Sequence, residues 1–266
     1  FGWVYSGSRA ITIKDLTLVG KVKGGNYTGG LVGRLEYSSY TNYIRNCHIY
    51  VDVTGDYQYH GGIVGYMYGY WQIENCTHHG KVEGSNYVGG IAGYSANSQY
   101  DNIYYTSNYG TVSGTVSYVG GIMGYANYSH IYYCYNAADV SGASTYVGGI
   151  LGYGNQYSYV YYGTNTGNIS STYTSDAYVG GICGYQNSSS GCNTYYCLNA
   201  GEVSGYSYVG GIDGYSYYGN YMQYCLNVGQ VKGQTTTYIG AVAGYCSSSS
   251  PTSCYFDNQM SGTQYW

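Results

Sequence analysis

The chain has 266 residues and a formal net charge of −4, and Gly and Tyr each occur 45 times. Only 8 % of the residues are charged, so we expect no nucleic-acid partner and disfavour a generic acid–base enzyme. Pro occurs once, which excludes collagen. The 44 % of hydrophobic residues can form a core, which argues against disorder, and no apolar run approaches a transmembrane helix, so we expect no membrane insertion.

One segment, Tyr-x-Gly-Gly-Ile-x-Gly-Tyr, recurs along the chain from its first glycine pair onwards. Successive copies are 28 to 32 residues apart, a period typical of solenoids. Between the copies lies a second element, best seen at 80–84 (Gly-Lys-Val-Glu-Gly), which alternates apolar and polar residues like a half-buried strand. The repeat glycines are Gly29, Gly30, Gly61, Gly62, Gly89, Gly90, Gly120, Gly121, Gly148, Gly149, Gly180, Gly181, Gly210 and Gly211.

Both elements predict strands, and no segment has a helical period. We therefore expect an all-β fold, a β-solenoid (β-helix-like) of about eight repeats with two main strands per repeat and no significant helix. A propeller is the competing fold, but a blade needs about four strands in 40–45 residues, more than this period supplies. The predicted organisation is a single repeat domain over 1–266, with an N-terminal flank or cap at 1–10, repeats at 11–262 and a C-terminal flank at 263–266.

Identical positions of successive coils should stack into columns about 4.8 Å apart. Glycine at fixed sites indicates that neighbouring backbone approaches too closely for a side chain. The predicted core spine is Leu31, Ile63, Ile91, Ile122, Ile150, Ile182, Ile212 and Val242. One predicted tyrosine ladder is Tyr27, Tyr59, Tyr87, Tyr118, Tyr146, Tyr178, Tyr208 and Tyr238, and the other is Tyr66, Tyr94, Tyr125, Tyr153, Tyr185, Tyr215 and Tyr245.

Six of the nine cysteines share one repeat position, where other copies have Leu, Thr or Gly. That exchange favours a core column of buried thiols, although disulfides between neighbouring coils are an alternative because stacked Cα atoms permit them. Two pairs close in sequence, Cys246 with Cys254 and Cys192 with Cys197, are candidate disulfides. No C-x-x-C spacing occurs, so a zinc site is not expected. The column is Cys47, Cys76, Cys134, Cys197, Cys225 and Cys254.

Few residues are candidates for chemistry. His78 and His79 lack an H-E-x-x-H context, and we expect them to be exposed or stacked in a loop. Asp213 replaces a small residue in Gly-Ile-Asp-Gly, where a local hydrogen bond or edge exposure is expected. The carboxylates do not gather in one column, as an acid cluster in a groove would require. We therefore predict a protein that is not an enzyme, with no catalytic residue, cofactor or metal.

Residues 30–33, Gly-Leu-Val-Gly, are a literal copy of the GLUG motif, and later copies differ mainly by Ile for Leu. Cys254-Tyr255-Phe256-Asp257 followed by Ser261-Gly262 also looks like the end of a GLUG array. The chain thus resembles the GLUG-motif repeat family of bacterial secreted and cell-surface proteins over nearly its whole length. The resemblance implies an extracellular stalk, adhesin or accessory region and no catalytic residues. The first copy departs from the pattern, with Arg34 in place of Tyr.

We expect a structural or adhesive protein that associates with itself head to tail to form a filament. The candidate ends are Trp3, Lys21 and Lys23 on one side and Asp257 and Trp266 on the other, since tryptophan anchors interfaces and low charge permits association.

Two alternatives remain. One is an adhesin module that binds carbohydrate or another ligand through exposed tyrosines, on a glycan or another cell surface. The other is the accessory stalk of a larger surface enzyme. No signal peptide is visible, so we expect a mature form or a fragment. The candidate loop tyrosines are Tyr68, Tyr70, Tyr157, Tyr159, Tyr217 and Tyr218.

Overall fold

The computed structural model describes residues 1–96, 101–188, 191–248 and 250–258. It confirms a β-solenoid of about eight turns, and the described residues contain no helix. Accordingly, the described part of the chain has no helix long and apolar enough to cross a membrane. We number the turns as coils in chain order.

The first four coils contain four strands each. Coil 1 has β1 (Trp3–Gly7), β2 (Thr12–Lys14), β3 (Thr17–Gly24) and β4 (Thr28–Gly29). Coil 2 has β5 (Val32–Ser38), β6 (Asn42–Arg45), β7 (His48–Gly55) and β8 (Gln58–Gly61). Coil 3 has β9 (Val64–Met67), β10 (Trp71–Glu74), β11 (Thr77–His78) and β12 (Val82–Gly89). Coil 4 has β13 (Ala92–Ser95), β14 (Asp101–Tyr104), β15 (Ser107–Asn108) and β16 (Val112–Gly120).

The next four coils contain five strands each, and a partial coil follows. Coil 5 has β17 (Met123–Asn127), β18 (Ser129–Tyr132), β19 (Tyr135–Asn136), β20 (Val140–Gly142) and β21 (Tyr146–Gly148). Coil 6 has β22 (Leu151–Asn155), β23 (Tyr159–Tyr161), β24 (Thr164–Asn165), β25 (Ile169–Ser171) and β26 (Tyr178–Gly180). Coil 7 has β27 (Cys183–Asn187), β28 (Asn193–Tyr195), β29 (Leu198–Asn199), β30 (Val203–Gly205) and β31 (Val209–Gly210). Coil 8 has β32 (Asp213–Ser216), β33 (Tyr221–Gln223), β34 (Leu226–Asn227), β35 (Val231–Gly233) and β36 (Ile239–Gly240). Partial coil 9 has β37 (Ala243–Cys246) and β38 (Tyr255–Phe256).

The strands form three parallel sheets that run along the solenoid. The first sheet contains the first strand of every coil, from β1 to β37. The second contains the second strand of every coil from β2 to β33, and the third contains all the remaining strands, which range from two to nine residues in length. Each strand pairs in parallel with its equivalent one coil along, so that Val64 lies beside Ala92 and Ile73 beside Ile103. Columns of equivalent residues therefore stack as the repeat predicts.

The four or five strands per coil exceed the two main strands expected from the sequence. The chain turns sharply between the second and third sheets, at a residue with positive φ. This residue divides the second repeat element, which the sequence pattern predicts as one strand. Asn46 (φ 52°), Asn75 (φ 52°) and Tyr105 (φ 48°) hold this corner in coils 2 to 4. A left-handed residue cannot continue a strand, so the chain breaks into short strands around it.

The interior of the solenoid contains the predicted spine. Leu31 and Val242 are 3 % exposed, and the six isoleucines between them are fully buried. The repeat glycines allow the coils to approach this closely, as predicted. A Cβ atom on Gly149 would lie 2.1 Å from the carbonyl oxygen of Gly181 in the next coil, a separation that real Cβ contacts do not reach.

The two predicted flanks differ in outcome. Residues 1–10, predicted as an N-terminal flank or cap, include β1, which pairs with β5 in the first sheet and places Trp3 opposite Arg34. They are therefore the opening strand of coil 1. The C-terminal flank at 263–266, including Trp266, lies outside the described residues.

Candidate binding surface

The two predicted tyrosine ladders are present and interlocked. Within each ladder, neighbouring rings are 4.5 to 5.4 Å apart between centroids, and rings of different ladders meet edge to face, as Tyr118 and Tyr125 do at 88°. The guanidinium carbon of Arg34 continues the second ladder, 4.9 Å from the Tyr27 ring and 5.3 Å from the Tyr66 ring. Most of these rings are half-buried, and burial raises the pKa of Tyr66 to about 12. The interlocked ladders are thus mainly packing.

Sequence reasoning missed two further tyrosine ladders, of which the first is half-buried like the interlocked ladders and the second is exposed. One lies on the outer side of the second sheet and consists of Tyr104, Tyr132, Tyr161 and Tyr195, with centroids 5.0 to 5.2 Å apart. The other follows the corner after that sheet and consists of Tyr105, Tyr133, Tyr162, Tyr196 and Tyr224, with centroids 4.6 to 5.0 Å apart. We call these nine residues the tyrosine face.

The corner ladder is the most exposed part of the tyrosine face. Its five side chains are 41 to 58 % exposed, and all five residues have positive φ between 48° and 56°. The signal for both ladders is the Tyr-Tyr pair before the cysteine position, as in Tyr132-Tyr133-Cys134 and Tyr195-Tyr196-Cys197. A corner between the two tyrosines places one on the sheet and the other at the edge.

The stacking of these rings limits what they can bind. Tyr133 and Tyr162 are parallel within 1° at 4.6 Å, so each ring covers the face of the next one. The surface therefore presents ring edges and phenol hydroxyl groups, and only the outermost rings of a ladder retain a free face. A ligand therefore cannot stack on an open ring face within the ladders.

The predicted loop tyrosines do not form one site. Tyr68, Tyr157, Tyr217 and Tyr218 are 37 to 60 % exposed, whereas Tyr70 and Tyr159 are half-buried. They belong to coils 3, 6 and 8, between or within the strands of the first and second sheets. Several coil spacings of about 4.8 Å separate the three groups, so the tyrosine face is the larger continuous surface.

Buried polar residues form a second feature that the sequence analysis missed. Five fully buried asparagines, two positions after the cysteine column, form an asparagine ladder. The side-chain amides of the first four each donate a hydrogen bond to the amide oxygen of the next asparagine, at 2.8 to 2.9 Å, and the amide of the last, Asn227, donates to the Ala241 carbonyl at 2.9 Å. Each also donates to a backbone carbonyl two residues further on, at 2.7 to 3.0 Å. The ladder is Asn108, Asn136, Asn165, Asn199 and Asn227.

All nine cysteines are free thiols, so the candidate disulfides Cys246–Cys254 and Cys192–Cys197 are not formed. Cys192 and Cys197 flank the three-residue strand β28, which spans about 10 Å, too far for a bridge. Cys254 continues the cysteine column towards Cys225 instead of closing on Cys246. The thiol column is thus present, and burial raises the pKa of the Cys134 thiol to about 12, which makes it a poor nucleophile.

Two carboxylates are fully buried. Asp101 accepts hydrogen bonds from the Trp71 amide at 2.9 Å and the Ser95 hydroxyl at 3.0 Å, and burial raises its pKa to about 6. Burial also raises the pKa of Asp213, which accepts from the Thr194 hydroxyl at 3.2 Å. The two carboxylates lie four coils apart, about 19 Å along the axis, beyond the separation of a glycosidase carboxylate pair. Asp213 has the predicted local hydrogen bond but no edge exposure.

The two adjacent histidines have different surroundings. His79 lies between the rings of Tyr50 and Tyr109 at 4.4 and 4.8 Å, as a stacked histidine. His78 is fully buried, contrary to the expectation for a loop, and its Nδ1 lies 3.1 Å from Oδ1 of Asn108. His78 therefore begins the asparagine ladder, because its position is two residues after Cys76, as Asn108 is two after Thr106.

The predicted self-association ends can also be located. Trp3 is 65 % exposed, and Lys21 lies 3.8 Å from Asp52 of the next coil, so part of its charge is matched within the chain. Lys23 lies on β3 and Asp257 directly follows β38. Across residues 1–96, 101–188, 191–248 and 250–258, no group of three His, Cys, Asp or Glu side chains is placed to hold a metal ion.

No protein-family model matches the chain, so the resemblance to GLUG repeats stays a prediction. No curated protein matches it either. One solved structure matches the chain with 16 % sequence identity and a TM-score of 0.43, and the match covers 89 % of this chain and 78 % of that one. Its title describes a "putative immunoglobulin A1 protease from Bacteroides ovatus". A likeness of this size says nothing about the chemistry of this chain.

Proposed function

We propose that this chain is a non-catalytic structural rod of an extracellular bacterial surface, and that its copies associate end to end. The observation that carries the proposal is the unbroken stacking of coils 1 to 8, in which every strand of the first and second sheets finds its partner one coil along. Eight coil-to-coil steps of about 4.8 Å give a rod about 40 Å long. Its two buried carboxylates are enclosed and far apart, which suits a structural role.

End-to-end association is supported by coil 1. Within the described residues, β1, β2 and β3 pair only with β5, β6 and β7, so their outer edges expose backbone hydrogen-bonding groups. The inward side chains Ile13 and Leu18 are half-buried there, whereas their equivalents in coil 2 are fully buried. An edge of this kind is a template for pairing with another parallel strand. A head-to-tail contact between copies does not close on itself and yields a filament.

The test is electron microscopy of the purified chain at increasing concentration, with two variants. Ile13→Lys places a charge on the end face, and Val116→Lys adds the same charge at a side position that is 50 % exposed. We expect filaments for the wild type and for Val116→Lys but single rods for Ile13→Lys, with equal β-sheet circular dichroism. Single rods of the wild type at every concentration would overturn the assembly, and hydrolysis of a polysaccharide or peptide by the pure chain would overturn the non-catalytic role.

A further inference from the structure

The last three members of the cysteine column lie in consecutive coils. The backbone amide of Leu226 donates to the Cys197 carbonyl at 2.9 Å. The amide of Tyr255 donates to the Cys225 carbonyl at 2.8 Å, so the column stays in register into partial coil 9. Equivalent Cα atoms in such a stack are about 4.8 Å apart, within the range of about 4.4–6.8 Å that a disulfide spans. Two neighbouring cysteines of this column can therefore be joined without refolding a coil.

The thiols of Cys225 and Cys254 have the same orientation. The Cys225 sulfur lies 3.6 Å from the carbonyl oxygen of Thr194 in coil 7. The Cys254 sulfur lies 3.6 Å from the carbonyl oxygen of Met222 in coil 8. Met222 is the partner of Thr194 in the second sheet, so the two sulfurs occupy equivalent places one coil apart. The two thiols also interact directly, and the pair is thus aligned along the solenoid axis.

Cys254 is the member of the pair that a reagent can reach. It is half-buried, whereas Cys225 is fully buried. Cys47 and Cys76 stack in the same way, but they are fully buried in coils 2 and 3, which have a neighbouring coil on each side. An outside oxidant therefore meets the column at its C-terminal end.

Partial coil 9 also has the freedom to close the bond. Within the described residues, β37 and β38 pair only with β32 and β34 of coil 8. A disulfide holds its Cβ atoms about 3.5–4.5 Å apart, slightly less than the stacking distance of about 4.8 Å. A coil with one neighbour can move by this small difference, whereas a coil between two others is held in place.

We propose that Cys225 and Cys254 form a reversible disulfide that fastens partial coil 9 to coil 8. The oxidant is a small disulfide such as glutathione disulfide, which reacts by exchange. The Cys254 thiolate attacks it, forms a mixed disulfide and releases one glutathione thiolate. Cys225 then gives up its proton, attacks the Cys254 sulfur and displaces the second glutathione. Two protein thiols are oxidised to one disulfide, and glutathione disulfide is reduced to two glutathione thiols.

The disulfide acts on the outermost coil of the solenoid. A terminal coil with one neighbour opens locally at a low free-energy cost, and a bond between coils 8 and 9 opposes that opening. The backbone amides of β38 follow directly after Cys254. We expect them to exchange with solvent about tenfold more slowly in the oxidised chain than in the reduced chain.

The experiment treats the dilute chain with glutathione disulfide and maps its disulfides by mass spectrometry of peptides. Mildly alkaline pH is used, because the neighbouring Cys225 thiol raises the pKa of the Cys254 thiol and the thiolate is the attacking species. We expect one disulfide, from Cys225 to Cys254, and slower exchange in β38. Dithiothreitol should open the disulfide and restore the faster exchange.

Three variants separate this pair from the other thiols. Cys225→Ser lacks the second thiol, so glutathione should remain attached to Cys254. Cys254→Ser should form no disulfide and show no slowing in β38. The matched control is Cys246→Ser, at the other half-buried cysteine, whose partner in coil 8 is Ser216. It should form the same disulfide as the wild type.

Four results would overturn the proposal. They are nine free thiols in the treated wild type, a bond from Cys254 to Cys246, a bond between other members of the column in place of Cys225–Cys254, and a mapped Cys225–Cys254 bond that leaves exchange in β38 unchanged. The inference relies on the proposed extracellular location only for the oxidant, which the experiment supplies. Filaments are not needed either, so this proposal and the proposed function can fail separately.

Discussion

Tyrosine occupies the left-handed corner after the second sheet in five successive coils, although earlier coils place Asn46 and Asn75 there. Asparagine tolerates positive φ better than a bulky residue does, and the left-handed region costs an L-residue on the order of 1–2 kcal/mol. A stacked aromatic pair contributes about 0.5–1.5 kcal/mol beyond its buried area. For the inner tyrosines Tyr133, Tyr162 and Tyr196, which have a ring above and a ring below, these contacts offset the backbone strain at the corner.

Asp101 makes stability depend on pH. Its pKa of about 6 in the folded chain exceeds the ordinary value, so folding favours the protonated carboxyl. The free energy of unfolding should therefore fall as pH rises from about 4 to about 6 and level off above that. Asp101→Asn removes this loss, so we expect its stability relative to the wild type to increase by about 3 kcal/mol between about pH 4 and about pH 7.

Urea denaturation of both proteins at the two pH values measures this difference. Burial lowers the pKa values of His60 and His130, so protonation of these histidines lowers the free energy of unfolding as pH falls. Both proteins contain them, so their contributions cancel in the difference. Glu83→Gln, at a surface carboxylate in an ion pair with Lys81, is the control and should follow the wild type more closely. An Asp101→Asn variant with the pH dependence of the wild type would contradict the assignment.

At the scale of the element, the asparagine ladder holds the two-residue strands of the third sheet. Strands such as β24 and β29 are too short to pair stably by backbone bonds alone. The side-chain amides add a second row of hydrogen bonds parallel to the backbone row, in an interior where an unpaired amide is costly. The repeat glycines leave room for them, because a Cβ on Gly149 would lie 2.6 Å from the amide carbon of Asn165.

Breaking the ladder in the middle should be costly. Asn165→Ala removes the donor to Asn199 and to the Gly167 carbonyl and the acceptor for Asn136, leaving buried groups without partners. We expect a loss of about 2–4 kcal/mol in the free energy of unfolding. The control is Asn155→Ala, which removes partly buried hydrogen bonds with Asn127 and Tyr125 and should cost about 1–2 kcal/mol, less than Asn165→Ala. Equal losses in chemical denaturation would show that the buried ladder adds nothing.

At the scale of the whole molecule, stability is a sum of contacts between neighbouring coils. A solenoid has few contacts beyond nearest neighbours, so a coil with one neighbour is held less firmly than a coil with two. The side chains reflect this, since Ile13 of coil 1 is half-buried while Ile44 and Ile73 of coils 2 and 3 are fully buried.

Hydrogen exchange should follow this gradient. Backbone amides in β2 and β38, in the outermost coils, should exchange fastest, and those around Ile122 and Ile150 in the middle coils slowest. Mass spectrometry of peptides after deuterium labelling measures the exchange rate in each coil, at a low protein concentration where end-to-end contacts are absent. Protection that is uniform from coil 1 to partial coil 9 would contradict nearest-neighbour stability.

The sequence by itself determined the solenoid, its buried spine and the two interlocked tyrosine ladders. The reason is geometric, because in a parallel stack any residue that recurs once per coil must lie directly above its copy. The isoleucine of Gly-Gly-Ile and the tyrosines on either side of it recur in this way, so their neighbours in the adjacent coils are found by counting one repeat along the chain. The glycine pair follows too, since only close backbone contact explains a missing side chain in every coil.

Only the tertiary structure decided which columns face inwards and which are exposed. Tyr132 and Tyr133 are adjacent in sequence, and the left-handed corner at Tyr133 sends one to the sheet and the other to the edge. The same corner turns the side chain of Asn136 into the core. The sequence could not predict this, because a two-residue strand is too short for an alternation of apolar and polar residues to show which side chain faces inwards. The state of the cysteines was equally hidden, because a disulfide depends on the distance across β28, which the spacing along the chain does not report. Side-chain direction at a corner is set by backbone dihedral angles, and these depend on the packing of the coils above and below.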